Sequence, residues 1–155
     1  MEEPLFNIVL LAPQIPNNTG NIGRTAMATG CRLHIIHPIA FDMDEKAVRR
    51  AGLDYWHLLD IREHESWSSF LESEQPGNLW LFTTKTTKPL WDATFVKGDY
   101  LLFGNEQHGV PEEVHKFVGE NARLTLPMVC EARSLNLATA VCAAVYEGFR
   151  QTTTS

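Results

Sequence analysis

The chain predicts an α/β domain on a mainly parallel sheet flanked by helices, and three observations carry that prediction. Four apolar runs, 5–12, 33–37, 79–83 and 100–104, are continuous rather than alternating, as strands covered on both faces are. Helical patterns separate them, at 19–29, 45–52, 66–74 and 111–118. The 155 residues suit one domain with a single core.

The remaining elements follow from local chemistry. A fifth strand, 123–126, is short because Pro127 stops it. The last helix is the clearest, running 134–150 from Ser134 as its N-cap. Ala138, Val141, Cys142, Val145 and Phe149 make its expected core face, and Ala140, Ala143 and Ala144 a second face of small side chains. A single domain over 1–151 is expected, followed by an unstructured Thr-rich tail at 152–155.

Composition narrows the function classes. Hydrophobic residues are 44% and charged residues 21%, an ordinary globular balance rather than a disordered one. No apolar run approaches the roughly 20 residues of a membrane span. The acidic start, Met1-Glu2-Glu3-Pro4, is unlike a secretory or transit signal, so a cytoplasmic protein is expected. Cys31, Cys130 and Cys142 are widely spaced and predict reduced thiols. The six histidines form no metal-binding motif, and no metal is expected. The net charge of −6 argues against nucleic acid, whose binding rests largely on neutralised phosphates.

Three segments stand where α/β proteins bind ligands, at strand ends and helix starts. The first, Asn17-Asn18-Thr19-Gly20-Asn21-Ile22-Gly23-Arg24, reads as a loop opening the first helix, with glycines for close backbone approach. It is neither GxGxxG nor a P-loop, and its spacing alone fits a capped turn equally well. The second, Leu101-Leu102-Phe103-Gly104-Asn105-Glu106-Gln107-His108-Gly109-Val110-Pro111, leaves a buried strand, with Glu106 able to accept backbone N–H bonds and His108 read as a surface loop residue or, alternatively, a titrating base. The third runs from Leu126-Pro127-Met128 to Ser134-Leu135-Asn136, where a helix start offers N–H donors. Phe82-Thr83-Thr84-Lys85 ends another strand at the same kind of place.

Taken in order, NNTGNIGRTA, LLFGNEQHGVP and LPM…RSLNLATAVCAAVYE resemble the three motifs of the SPOUT (SpoU–TrmD) RNA methyltransferases. They are most similar to the TrmL (YibK) group, which methylates the 2′-hydroxyl of the wobble cytidine or uridine of tRNA. NIVLLAPQIP, GCRLHIIHP, RRAGLDY and LFTTK extend the likeness over nearly the whole chain. The resemblance implies a deep C-terminal trefoil knot, a homodimer, and S-adenosylmethionine converted to S-adenosylhomocysteine with no metal. It implies active-site roles for Asn18, Arg24, Glu106, Ser134 and Asn136. Cofactor contacts are implied for Phe82, Thr83, Gly104, Glu106, Leu126, Met128 and Ser134, with Gly104 admitting the ligand to the backbone. Tyr146 matches a tyrosine near the dimer interface, where packing is at least as good an account as catalysis.

Arg24 is the position to which hydroxyl activation is often assigned in the resemblance. A guanidinium holds its proton, so clamping a phosphate and stabilising the developing alkoxide suits it better than acting as a base. Asn105 replaces the proline of the more usual FGPExxG form, and a looser loop is expected. Competing readings are 2′-O-methylation of another RNA such as rRNA, and a non-catalytic RNA-binding module. A dehydrogenase is excluded by the missing glycine fingerprint.

Charge distribution then changes meaning. The excess acid lies in 53–80, at Asp54, Asp60, Glu63, Glu65, Glu72 and Glu74, outside the motifs. An acidic helix pointing away from RNA is expected there. Segments 17–52 and 81–98 are net positive. An RNA-binding face is therefore expected from Arg24, Lys46, Arg49, Arg50, Lys85, Lys88 and Arg133, receiving a tRNA anticodon loop.

Overall fold

The computed structural model describes residues 3–41, 57–129 and 135–153. Six strands are β1 (Asn7–Leu11), β2 (Arg32–Ile36), β3 (Ile61–His64), β4 (Leu79–Phe82), β5 (Tyr100–Phe103) and β6 (Arg123–Leu124). Among the described residues the α-helices are α1 (Pro16–Thr29), α2 (Trp67–Glu74), α3 (Glu112–Val118) and α4 (Leu137–Thr153). The strands form one sheet in the order β3-β2-β1-β5-β4-β6, and every pairing is parallel.

Alternation along each strand explains the continuous apolar runs. Phe6, Ile8 and Leu10, with Leu33, Ile35, Leu101 and Phe103, pack on the face that also buries Ile22 and Ala26 of α1 and Val141, Ala144 and Val145 of α4. Val9, Leu11, Ile36, Leu81 and Leu102 pack on the other face against Phe70 of α2 and Val114 of α3. Both faces of the sheet are thus buried, which is why its strands carry apolar residues at successive positions.

Several boundaries differ from expectation for identifiable reasons. Helix α1 starts at Pro16, not at residue 19, because proline is suited to the first helical position. It ends at Gly30, whose φ of 73° admits the left-handed cap. The helix expected at 66–74 is found as α2, capped by Ser66, while β3 just before it was not expected; it is an edge strand, where charged side chains are tolerated. Strand β6 is shorter than expected, and Thr125 makes only an isolated bridge to Pro89.

Helix α4 starts at Leu137 rather than at Ser134 and continues to Thr153, into the tail expected to be unstructured. Its buried residues are Val141, Ala144, Val145 and Gly148. The expected core face was therefore rotated: Ala144 joins the core, while Cys142 is only half-buried. Gly148 is required by the Phe6 ring, since a Cβ there would lie 2.5 Å from its Cε2. The expected helix at 45–52 lies outside the described residues.

Candidate active site

Strand order places the site. Successive connections from β1 run outward to β2 and β3, while β5 pairs on the other side of β1. Crevices at the carboxyl ends of strands, where the winding direction switches, are the usual ligand positions of such sheets. Here the ends of β4, β5 and β6 open into a cleft of about 810 Å³, within the range of small-ligand sites.

The β1–β5 register pairs Leu10 with Phe103, so two residues further on Ala12 faces Asn105. The Asn105 amide nitrogen donates to the Ala12 carbonyl at 2.8 Å. Ala12 has a φ of 56°, a left-handed conformation that costs a non-glycine residue about 1 kcal/mol. Glu106 binds the same loop with opposite polarity, accepting the N–H groups of Gln14 at 2.8 Å and Ile15 at 2.9 Å. These lie immediately before α1, where helix-start N–H groups need acceptors.

Glu106 also accepts from the Asn18 amide at 3.3 Å. Asn18 in turn accepts from the Asn136 amide at 3.1 Å. The Asn136 oxygen accepts the Thr139 N–H at 3.3 Å and caps α4, the role expected of Ser134. Residues separated by 88 and 118 positions are thereby joined in one chain of hydrogen bonds. All three sequence motifs meet at this point.

The cleft walls are apolar on one side. Phe82 and Phe103 stack with centroids 4.7 Å apart, and Leu126 and Met128 also line the cleft. Thr83, Gly104, Asn105 and Glu106 supply polar lining. Gly104 also has a reason within the fold for being glycine: a Cβ there would overlap the Gly109 backbone, so its absence lets the loop close on itself.

Of the expected active-site residues, Asn18, Glu106 and Asn136 are brought together. Arg24 is exposed on α1 and is not among the cleft-lining residues. Ser134 lies outside the described residues. Of the expected cofactor contacts, Phe82, Thr83, Gly104, Glu106, Leu126 and Met128 all line the cleft. Asn18 and the glycines beside it are helical, not a loop; Gly20 and Gly23 are buried within α1.

Sequence reasoning did not single out His115. It is buried, lines the cleft, and its Nε2 lies 3.0 Å from the Thr83 hydroxyl. Its Nδ1 has no partner among the described residues. The signal was its position beside Val114 on the buried side of α3.

The basic face is described only in part. Lys46, Arg49, Arg50 and Arg133 lie outside the described residues. Lys85 is exposed at the cleft, 3.9 Å from Glu112. Lys88 lies over the Trp80 ring and donates to the Asn121 carbonyl at 3.0 Å. The acidic residues near β3 are paired: Asp60 with Arg32 at 2.7 Å, Glu63 with His37 at 2.8 Å, and Glu74 with Arg62 at 3.2 Å. They stand at the sheet edge opposite β6.

The histidines do form a cluster that spacing did not reveal. His34 Nδ1 and His64 Nε2 are 3.0 Å apart, and His34 Nε2 is 2.9 Å from the Asn7 oxygen. The Asn7 amide nitrogen is committed to the Gly98 carbonyl. His34 therefore donates through Nε2 and accepts from His64 through Nδ1. One donor atom from each of His34, His64 and Glu74 lies within 4.8 Å of the others. Glu74 also accepts from the Tyr100 hydroxyl at 3.0 Å. Burial pushes the His34 imidazole down to about 4, against the pull of Glu74.

A parallel α/β domain whose ligand cleft is knitted from both halves of the chain defines the class. The SpoU rRNA Methylase family pattern matches residues 5–146, and the chain belongs to that family. It is 44% identical over 147 residues to the tRNA (cytidine(34)-2′-O)-methyltransferase of Saccharophagus degradans, covering 95% of this chain and 96% of the relative. The enzyme of the same name from Escherichia coli strain K12 is also 44% identical over 147 residues, with 95% and 94% covered. A solved structure concerning 2′-OH methylation of C/U34 on tRNA superposes with a TM-score of 0.90 at 44% identity, covering 96% of each chain. The AdoMet complex of the SpoU methyltransferase AviRb from Streptomyces viridochromogenes shares the fold, with a TM-score of 0.85 at 24% identity over 97% of this chain and 62% of that one.

Proposed function

We propose that this protein is an S-adenosylmethionine-dependent methyltransferase acting on the ribose 2′-hydroxyl of the wobble nucleotide, cytidine or uridine 34, of tRNA. One observation carries the reading. A chain that matches enzymes named for this reaction over nearly its whole length gathers its three motifs into a single cleft.

The cleft fits the cofactor in kind. Phe82, Phe103 and Leu126 offer apolar walls for an adenine, and the ends of β4–β6 offer backbone groups for its polar edge. When bound, S-adenosylmethionine supplies an activated methyl group on a sulfonium, and it leaves as the thioether S-adenosylhomocysteine. The chain's own part is alignment and charge. Glu106 holds the β1–α1 loop and Asn18 in place, and Asn136 ties the start of α4 to Asn18. That rigid frame sets the nucleotide against the methyl donor. As the carbon–oxygen bond forms, the 2′-hydroxyl loses its proton, with a neighbouring phosphate oxygen as acceptor. Arg24 stabilises the alkoxide and clamps the phosphate.

Arg24 stands apart from the cleft of its own chain, which suits a site completed across a homodimer. The exposed Tyr146 on α4 suits the same interface. The deep trefoil knot belongs to this reading too. It is supported by β6 pairing beyond β4 while 88–90 hydrogen-bonds to Thr125. No helix among the described residues is long and apolar enough to cross a membrane; a cytoplasmic site of action follows from a tRNA substrate.

The test is mass spectrometry of tRNA from a strain lacking the gene. Loss of one 2′-O-methyl nucleotide at position 34, restored by the purified protein with S-adenosylmethionine, is expected. An unchanged nucleotide profile overturns the reading.

A further inference from the structure

We infer that Asn105 is a positioning residue: it fastens the loop on the cofactor side of the cleft to the loop that launches α1. The inference rests on the methyltransferase reading and adds a residue to it. Asn105 replaces a proline of the more usual family motif, and a looser loop was the expectation. The geometry reverses that expectation.

Asn105 is bonded through both main-chain groups and both ends of its side chain. Its N–H donates to the Gly109 carbonyl and its carbonyl accepts the Gly109 N–H, each at 2.9 Å. Its side-chain oxygen accepts the N–H groups of Gln107 at 2.8 Å and His108 at 3.2 Å, closing the turn. Its side-chain nitrogen crosses to the Ala12 carbonyl at 2.8 Å. Proline has no N–H for Gly109 and no donor for Ala12. The asparagine carboxamide carries its donor and its acceptor on separate atoms, so one side chain serves both loops at once.

The crossing bond matters because of its neighbour. Glu106 accepts from Gln14 and Ile15, two and three residues beyond Ala12. Adjacent residues on one loop thus hold two nearby points of the other, one by donating and one by accepting. Two ties fix an orientation where one would leave a pivot. The start of α1, with Asn18, is thereby held at a set angle to the cofactor walls.

The test compares wild type with Asn105→Ser and Asn105→Asp, each assayed well below its own melting temperature. Serine keeps an acceptor for the turn but cannot reach Ala12. Aspartate keeps the turn and sets a carboxylate against the Ala12 carbonyl. Both variants retain the turn, so their loss of S-adenosylmethionine affinity should be smaller than their loss of saturated rate. Their single-turnover methylation of tRNA at saturating cofactor should fall by about tenfold or more, since misplacement of reacting groups is costly. Amide exchange at Gln14 and Ile15, across the cleft, should quicken by about tenfold in Asn105→Ser, the worth of one lost hydrogen bond.

Wild-type rates with unchanged exchange at Gln14 and Ile15 overturn the inference. So does a loss confined to cofactor affinity with the saturated rate intact. Should Asn105→Asp not fold, Asn105→Ser decides by the same criteria. A wild-type protein that neither binds S-adenosylmethionine nor methylates tRNA overturns the functional reading instead, and the exchange measurement then still decides whether Asn105 joins the loops.

Discussion

The guanidinium at position 24 is exposed on α1 and carries no ion pair among the described residues. Such a residue contributes little to folding, so its substitution isolates function. Arg24→Lys keeps the charge but loses the planar fork. Single-turnover methylation should fall by about 100-fold, as when an aligned charge-stabilising donor is lost, while the melting temperature stays put. Near-normal turnover would refute the clamp. Glu106 is the opposite case, because its two oxygens accept separate N–H groups. Glu106→Gln turns one acceptor into a donor facing an N–H, and should cost about 1–3 kcal/mol in a denaturant melt. His34 makes a pH prediction. Its imidazole is held neutral, at about 4 when folded against an ordinary value of 6.5. The unfolded chain binds that proton first, so the contribution is complete above 6.5 and is lost as pH falls toward 4. The loss should be of order 2–3 kcal/mol. Replacing His34 with Gln should flatten the pH dependence over that window, and a slope left unchanged would exclude His34 as its source.

At the level of elements, a close fit joins α4 to Phe6, the residue just before β1. Gly148 lies against the fully buried Phe6 ring. Gly148→Ala should gain helix propensity but overpack that ring, for a net loss of about 1–2 kcal/mol in urea titration. A stabilised variant would show that Phe6 moves freely. The same packing shows which elements were legible in the sequence. Strands β1, β2, β4 and β5 were legible because burial on both faces leaves continuous apolar runs. Strand β3 was not, because an edge strand carrying Arg62 and Glu63 lacks that run. The rotation of α4 was missed since alanine and glycine are apolar enough for either face; only the Phe6 ring decides. At the site, Asn18, Glu106 and Asn136 were reached through the family resemblance. Their mutual bonds span 88 and 118 residues, and the buried His115 meets Thr83 across 32, separations that no local pattern encodes.

On the scale of the whole molecule, the problem is how a chain of net charge −6 holds an anionic substrate. Segregation answers it. Of the acidic groups of 60–74, Asp60, Glu63 and Glu74 pair with Arg32, His37 and Arg62 at the β3 edge. The cleft opens at the other end of the strand order, beside β4, β5 and β6. Lys85 is exposed there, and the basic cluster Arg49-Arg50 belongs to the net-positive segment 17–52. Local field rather than net charge governs approach of a polyanion. Each phosphate neutralised releases condensed counterions, so tRNA affinity should fall steeply as salt rises. Replacing Arg49 and Arg50 together with Glu should weaken tRNA binding by about tenfold or more at physiological salt and make the salt slope shallower by about 1 to 2. Binding of S-adenosylmethionine alone should be untouched, because the two arginines lie outside the three sequence motifs that meet at the cleft. Filter binding across a salt series measures both quantities at once. Unchanged tRNA affinity would place the RNA on another face of the molecule, and a shift in affinity with no change of slope would mean that the two arginines act through shape rather than through phosphate contact.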